Sequence, residues 1–418
     1  MTQIDADLLK LGKQAKLASK EMAHLSANKK NEALNVIADA IESNEKSILE
    51  ANQKDLQKAK EVDMELPLQE RLTLNTGRIK GMANGLRKMA RLEDPLAAVD
   101  REWTSDDGLR ITQRRVPLGV IGIIYESRPN VTIDASGLCL KAGNAVILRG
   151  SRSAMNSNIA LVGIVQEALT SLGLNPHSVQ LLTNPSYEVA GQFMRLNDYV
   201  DCLIPRGGQG LINRVVTQAT VPVIETGAGN THLYIEKDAD LEKATAILHN
   251  GKTQRNSVCN ALENLLVDQE LVSELPQILK PLIDFGVEIR GDERVVEQID
   301  GAVLATEEDF ETEYLADIIS VKLVDSYQEA VDHISHHSTQ HSDAIVTENY
   351  SVAQNFLNDI DSAVVYVNAS TRFTDGEMFG FGGEMGISTQ KLHARGPMGL
   401  EALTSYKYTV QGDGQIRG

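Results

Sequence analysis

Aromatic residues are scarce in this sequence: 4% of the 418 residues, with a single tryptophan, Trp103. A platform that stacks single-stranded nucleic acid needs several such rings, so nucleic acid is excluded as an expected partner. Positive charge is also short. Lys and Arg number 40 against 58 Asp and Glu, a formal net charge of -18. A chain that acidic repels nucleic acid and anionic membranes unless a dense basic block intervenes, and the sequence has none. An anionic small molecule must therefore be held by a few placed arginines. No apolar run approaches the length of a bilayer span, and the N-terminus has no apolar signal core. The three cysteines (Cys139, Cys202, Cys259) are odd in number, widely spaced and without a CxxC pair. That argues against a disulfide framework and a cysteine-based zinc site, and it fits a reducing, cytoplasmic setting. Finally, the dinucleotide fingerprint GxGxxG is missing.

The sequence offers instead an alternation of short apolar runs and helical stretches. Ile4, Leu8, Leu11, Ala15, Ala18, Met22 and Leu25 step by four and three, an amphipathic helix packed on something, and helix formers dominate to about residue 95. REWTSDDGLRITQRRV (101–116) reads as two extended arms around a turn at Ser105–Gly108. Strand-like runs follow at 116–126, 144–150, 179–183, 200–205 and 221–226, separated by helical stretches such as 158–172 and 209–219. Near-continuous apolar strands alternating with helices predict a buried parallel sheet with crossover helices. A second unit of the same kind begins near 231 and runs through SVKLVDS (320–326) and AVVYVNAS (363–370). The strand-like tail at 403–418 has no core of its own, so a homo-oligomer is expected.

Several short motifs could carry chemistry. GGQG (207–210) follows a strand and opens a helix, the context for phosphate contact at a helix N-terminus. ILRGSRS (147–153) also follows a strand, and Arg149, Ser151 and Arg152 could grip a phosphate or a ribose; a solvated loop with surface arginines reads equally well. ETGAGN (225–230) ends a run with a carboxylate that either acts as a general base or caps its own turn. In GKTQRNSVCNALENLLV (251–267) Cys259 sits in polar surroundings, with Lys252 and Arg255 just upstream. A nucleophilic thiolate needs such access and positive field, although a buried structural thiol is the commoner use of a cysteine. His333, His337 and His341 are spaced by four, as a helical zinc site requires. Ser338, Thr339 and the strand-like AIVT (344–347) argue against one continuous helix, so no metal site is expected.

Taken in order, VPLGVIGII, AGNAVILRG, ETGAGN, the cysteine that follows and the closing FGFGGEMGISTQKLHARGPMGLEALTSYKY resemble the aldehyde dehydrogenase superfamily. YESRPNVTID (125–134), RGGQGLI (206–212), TEYLADIISVK (312–322) and VDSYQEAVDHISHHSTQHSDAI (324–345) resemble, more closely, the branch that reduces gamma-glutamyl phosphate. The resemblance covers essentially the whole chain. It implies an α/β fold with a Rossmann-variant cofactor domain (1–100 and 117–229) that dispenses with GxGxxG. It further implies an α/β catalytic domain (230–395) carrying Cys259, and a β oligomerisation arm (101–116 and 403–418). It implies reduction of L-gamma-glutamyl 5-phosphate to the 5-semialdehyde with NADPH, through a thioester on Cys259, and possible coupling to the glutamate 5-kinase that makes so unstable a substrate. The alternative is a hydrolytic, NAD-dependent aldehyde dehydrogenase acting on another small aldehyde.

The site residues follow from the same resemblance. Cys259 is the expected nucleophile, and Glu225 shapes the cofactor site or moves a proton. Arg149, Gly150, Ser151, Arg152, Arg206, Gly207, Gly208 and Glu313 are expected at the cofactor, with Glu313 on the nicotinamide ribose. Arg128, Asn130, Arg255, Asn256, His341 and Arg372 are expected at the substrate. The oxyanion donor is left open between Ser127 and Asn130, beside the Cys259 backbone. The His-Ser-Asp stretch, His341 to Asp343, becomes a family signature.

Overall fold

The computed structural model describes residues 4–417, which form two compact units. The first is built from the chain up to Thr226, Gly380–Gly386 and the segment from Met398 onward; the second comprises Gly227–Phe379 and Ile387–Pro397. The expected boundary lay after 229, and Gly380–Gly386 were expected in the second unit.

The first unit opens with helices Ala6–Met22, Ala27–Ser43, Glu45–Glu61 and Thr76–Arg91. Three of them start on side chains that accept orphan N–H groups of the first turn: Asp5, Ser26 and Asn75. Leu8, Ala15, Ala18 and Met22 are buried as the spacing predicted, whereas Ile4 lies before the helix and stays exposed. Six strands follow: β1 (Val99–Thr104), β2 (Arg110–Pro117), β3 (Val120–Tyr125), β4 (Ala145–Arg149), β5 (Val179–Leu181) and β6 (Cys202–Arg206). The last four form a parallel sheet in the order β5-β4-β3-β6. Every residue of β3 is buried, because helices Pro129–Lys141 and Met155–Ser171 pack together on one face of the sheet, while Ala6–Met22 and Gln209–Gln218 pack on the other. The run at 221–226 is not a strand of this sheet. Only Val223 bridges to Leu203, and Pro222 contributes a carbonyl but no N–H to continue a ladder.

The second unit holds a seven-stranded parallel sheet: β7 (Thr231–Ile235), β8 (Leu262–Asp268), β9 (Glu288–Gly291), β10 (Val303–Leu304), β11 (Ile318–Val324), β12 (Ser342–Val346) and β13 (Val364–Val367). The order is β10-β9-β11-β8-β7-β12-β13. The apolar faces of β7, β8, β11 and helix Leu275–Phe285 make its core. A small antiparallel pair, β14 (Ile387–Ser388) and β15 (Gly396–Pro397), completes the unit.

The tail strand β16 (Thr404–Gln411) returns to the first unit and pairs antiparallel with β2 over eight residues, giving the sheet β1-β2-β16. Both outer strands are edges. Trp103, Tyr406, Tyr408 and Val410 are exposed on this arm.

Candidate active site

In a parallel sheet, ligands gather where strands hand over to helices at their C-terminal ends. β4 ends in Arg149, followed by Gly150, Ser151 and Arg152. Gly150 is required by packing: a Cβ there would stand 2.2 Å from the Asn158 amide nitrogen. Arg149 is half-buried, and burial lowers the pKa of its guanidinium. One Nη2 hydrogen goes to the Pro185 carbonyl at 3.3 Å, while its buried Nε has no protein partner. An unpaired buried cationic nitrogen is costly unless an anion takes it. Arg214, which sequence reasoning did not single out, lies close enough to act on Arg149 by charge and stacks on Tyr187 at 5.2 Å. Arg152 is exposed. The Ser127, Ser151 and Ser153 hydroxyls form one hydrogen-bonded cluster, with contacts of 3.2, 2.7 and 2.5 Å.

β6 ends in Arg206, and Gly207–Gly208 lead into helix Gln209–Gln218. The Glu126 carboxylate accepts from the Gly208 N–H at 3.0 Å and would collide with a Cβ on Gly207 at 2.7 Å. A carboxylate thus already sits where the glycine turn was expected to meet phosphate. The Arg206 guanidinium lies against Gly386 and acts on Asp134. Asp134, a second residue the sequence did not flag, accepts from the Asn130 amide at 3.1 Å, and burial pushes its carboxyl up to about 6. Arg128 is the N-cap of that helix. Glu225 is half-buried near the end of the first unit. Paired arginines with an unsatisfied nitrogen, beside glycines and hydroxyls at strand ends, fit a nucleotide that carries phosphate.

The second unit builds the cysteine loop. Cys259 is half-buried, between helix Leu241–Thr253 and β8, whereas Cys139 and Cys202 are buried and their thiols are pushed up in pKa by desolvation. Of the three, Cys259 has the accessibility a nucleophile needs. Its loop is fastened by Asn260, whose amide donates to the Thr374 carbonyl at 2.8 Å and whose carbonyl accepts from the Thr371 hydroxyl at 2.8 Å. These bonds bring Arg372, on the turn Thr371–Phe373, to the loop. Arg372 feels the charges of Arg255 and Cys259 and donates to Gln254 at 2.9 Å. Gly229, in the ETGAGN turn, packs directly beneath: a Cβ there would fall 1.5 Å from the Cys259 carbonyl oxygen. The Gly229 N–H donates to Glu313 at 2.7 Å, and burial raises the pKa of that carboxyl. Glu313, Gly229 and Cys259 therefore form one continuous stack.

Three residues singled out from the sequence are engaged within the protein. Lys252 neither faces the thiol nor points to solvent: its buried ammonium donates to Glu263 at 2.7 Å and to the Leu262 carbonyl at 2.9 Å. Desolvation lowers the pKa of Lys252 and raises the Glu263 carboxyl to about 7. Asn256, expected at the substrate, gives its amide to Asp317 at 2.6 Å. His341 is fully buried, and its imidazole is pushed down to about 4. It reaches the Arg372 turn through hydroxyls, from Ser342 at 2.8 Å to Thr374 at 2.8 Å.

The histidine run behaves as its serine and threonine implied. Helix Tyr327–His337 stops before Ser338, and His341 leads into β12, so 333, 337 and 341 do not share a helix face. Asn230, the last residue of ETGAGN, is a buried clamp. Its amide donates to the carbonyls of Phe310 and His337 at 2.7 and 2.8 Å.

Comparison with known proteins gives this arrangement its class. The aldehyde dehydrogenase family model matches residues 3–284, and the chain belongs to that family. The family implies an oxidoreductase that uses a nicotinamide cofactor. Among curated proteins, the gamma-glutamyl phosphate reductase of Enterococcus faecalis is 55% identical, covering 98% of this chain and 99% of its own. The enzyme of that name from Limosilactobacillus reuteri is 54% identical over 99% of this chain and 100% of its own. The crystal structure of gamma-glutamyl phosphate reductase from Thermotoga maritima matches with a TM-score of 0.96 and 47% identity, covering 98% of this chain and 100% of that one.

Proposed function

We propose that this protein reduces L-gamma-glutamyl 5-phosphate to L-glutamate 5-semialdehyde and releases phosphate, the second step from glutamate toward proline. The observation that carries the reading is the cysteine loop. An accessible Cys259 is held by Asn260 and Gly229, with Arg372 brought within charge range of it and Arg255 within charge range of Arg372. A substrate with a phosphate and an α-carboxylate needs two such cations. The full-length identity to reductases of that name points the same way, and the hydrolytic alternative is not favoured.

Cys259 attacks the acyl carbon as thiolate, the C–O bond to phosphate breaks, and a thioester remains. The Arg372 and Arg255 charges favour the thiolate and offset charge on the leaving phosphate. A reduced nicotinamide cofactor, when bound, would supply the hydride that converts the thioester to a thiohemiacetal, whose C–S bond then breaks to release the semialdehyde and return the Cys259 thiolate. Glu313 positions the cofactor's ribose, and Glu225 moves a proton or shapes the cofactor site rather than activating water, since hydrolysis would discard the activated acyl group. Arg149, Arg152 and Arg214 would hold a 2′-phosphate, because the buried Arg149 Nε lacks an acceptor, and this favours NADPH. His341 orders the surroundings of the Arg372 turn through Ser342 and Thr374. The exposed arm assembles a homo-oligomer in the cytoplasm, where the unstable substrate favours coupling to the kinase that makes it.

The test is the reverse reaction. Glutamate 5-semialdehyde and NADP⁺ should yield NADPH only when inorganic phosphate is present. Equal NADPH formation without phosphate would make water the acceptor and overturn the reading.

A further inference from the structure

Outside the cysteine loop, the end of helix Tyr327–His337 gathers a second constellation. Its last two residues, His336 and His337, meet Glu311, the last residue of helix Glu307–Glu311. One ligand atom from each of the three lies within 4.8 Å of the others. His337 is the built part of the group. Its side chain is 7% exposed, its Nδ1 has no hydrogen-bond partner, and that nitrogen faces the Glu311 carboxylate at 3.9 Å. The ring is wedged against His333 at 4.3 Å and Phe310 at 6.0 Å, so its direction is set by packing. The two backbones that carry the ligands are set as well, since one amide, Asn230 Nδ2, donates to the carbonyls of both His337 and Phe310. Glu311 and His336 are exposed and free to close by rotamer change.

We propose that Glu311, His336 and His337 bind a divalent cation of the zinc class, and that the bound ion fastens the loop leading to Glu313. Two imidazoles and one carboxylate suit a borderline-soft ion, and three protein ligands leave a fourth position for water. Ligand atoms on a tetrahedral zinc lie about 3.3 Å apart, so the trio closes by roughly an ångström, mostly through the two exposed side chains. This set differs from the evenly spaced 333, 337 and 341: adjacent histidines at a helix end meet a glutamate distant in sequence. Glu313 follows Glu311 by two residues and accepts the Gly229 N–H, so a cation held at Glu311 stiffens the segment that carries it.

The experiment titrates zinc chloride into the full chain in a Cys259→Ser background, which removes the accessible thiol as a competing ligand. Binding is followed by calorimetry, and amide hydrogen exchange is measured over residues 306–316. One zinc per chain is expected. Glu311→Gln and His336→Ala should each weaken it by roughly tenfold or more, while His24→Ala, at a remote exposed histidine, leaves it unchanged. Zinc should slow exchange over 306–316 in the background protein and not in His336→Ala. Both altered residues are exposed, and an unchanged melting temperature without zinc confirms that the variants fold. Failure of both variants to weaken binding by that factor, or exchange over 306–316 that zinc does not slow, overturns the proposal.

Discussion

The strand-end loops of the first unit and the cysteine loop of the second are made of similar residues and used in opposite ways. In the first, cationic groups are left under-satisfied: the Arg149 Nε is buried without a protein acceptor and Arg152 is exposed. In the second, polar groups are spent on one another. Asn260, Thr371, Asn230 and the Glu313–Gly229 bond all hold backbone in place. A surface of the first kind selects a ligand by charge; one of the second kind keeps a reacting atom where it is needed. Lys252 shows how far the second principle goes, since a lysine seven residues before the nucleophile is given over to a buried carboxylate and a backbone carbonyl.

Substitutions should separate the two regions. Cys259→Ser should lower the phosphate-dependent rate by roughly a thousandfold or more with little change in melting temperature, because the side chain is half-buried. Substantial remaining turnover would remove the nucleophile from the scaffold. Gly229→Ala comes next. Its Cβ has no room beside the Cys259 carbonyl, so the loop must shift and kcat should fall by about a hundredfold, with a smaller rise in the KM for cofactor through the Gly229–Glu313 bond. A variant that loses cofactor affinity instead would show that the regions are not separate. Arg149→Ala should act on the other side, raising the KM for NADPH by roughly tenfold or more while leaving NADH and kcat alone. An equal effect on NADH would mean that the arginine does not read the 2′-phosphate.

The smallest effect concerns pH. Burial depresses His341 from 6.5 to about 4, so between those values the unfolded chain binds the proton and the folded one does not. Stability is therefore fully present above about pH 6.5 and declines as pH falls toward 4, by up to about 3 kcal/mol. Denaturant titrations of His341→Asn should show a shallower decline than the parent. Parallel curves would mean that His341 is not the group responsible.

The sequence made the parallel sheets legible because fully buried runs such as VIGIIY and AVIL are apolar throughout, and Ser105–Gly108 marked the hairpin turn. The run at 221–226 misled, since composition cannot show that Pro222 limits pairing to one bridge. In the site, Cys259 was legible from its polar setting and from the resemblance of its neighbours. Asn260 and Asp134 were not. Each acts on a residue that only folding brings near, Asn260 on Thr374 and Asp134 on Arg206, and neither carries a local pattern. Lys252 and His341 were legible as residue types but not in orientation, because burial depends on what packs against them.

The pairing of β2 with β16 has a consequence for how this protein is made. Arg115 bonds to Thr404 across 289 residues of chain, and the whole second unit is translated in that interval. At ordinary ribosomal rates this is a wait of roughly 15 to 60 s. Throughout it the hairpin has an unpaired edge and the first unit lacks its closing strand. The nascent chain must carry that open edge among its neighbours on the polysome, so its yield in a cell depends on what shields β2 as much as on the stability of the finished fold.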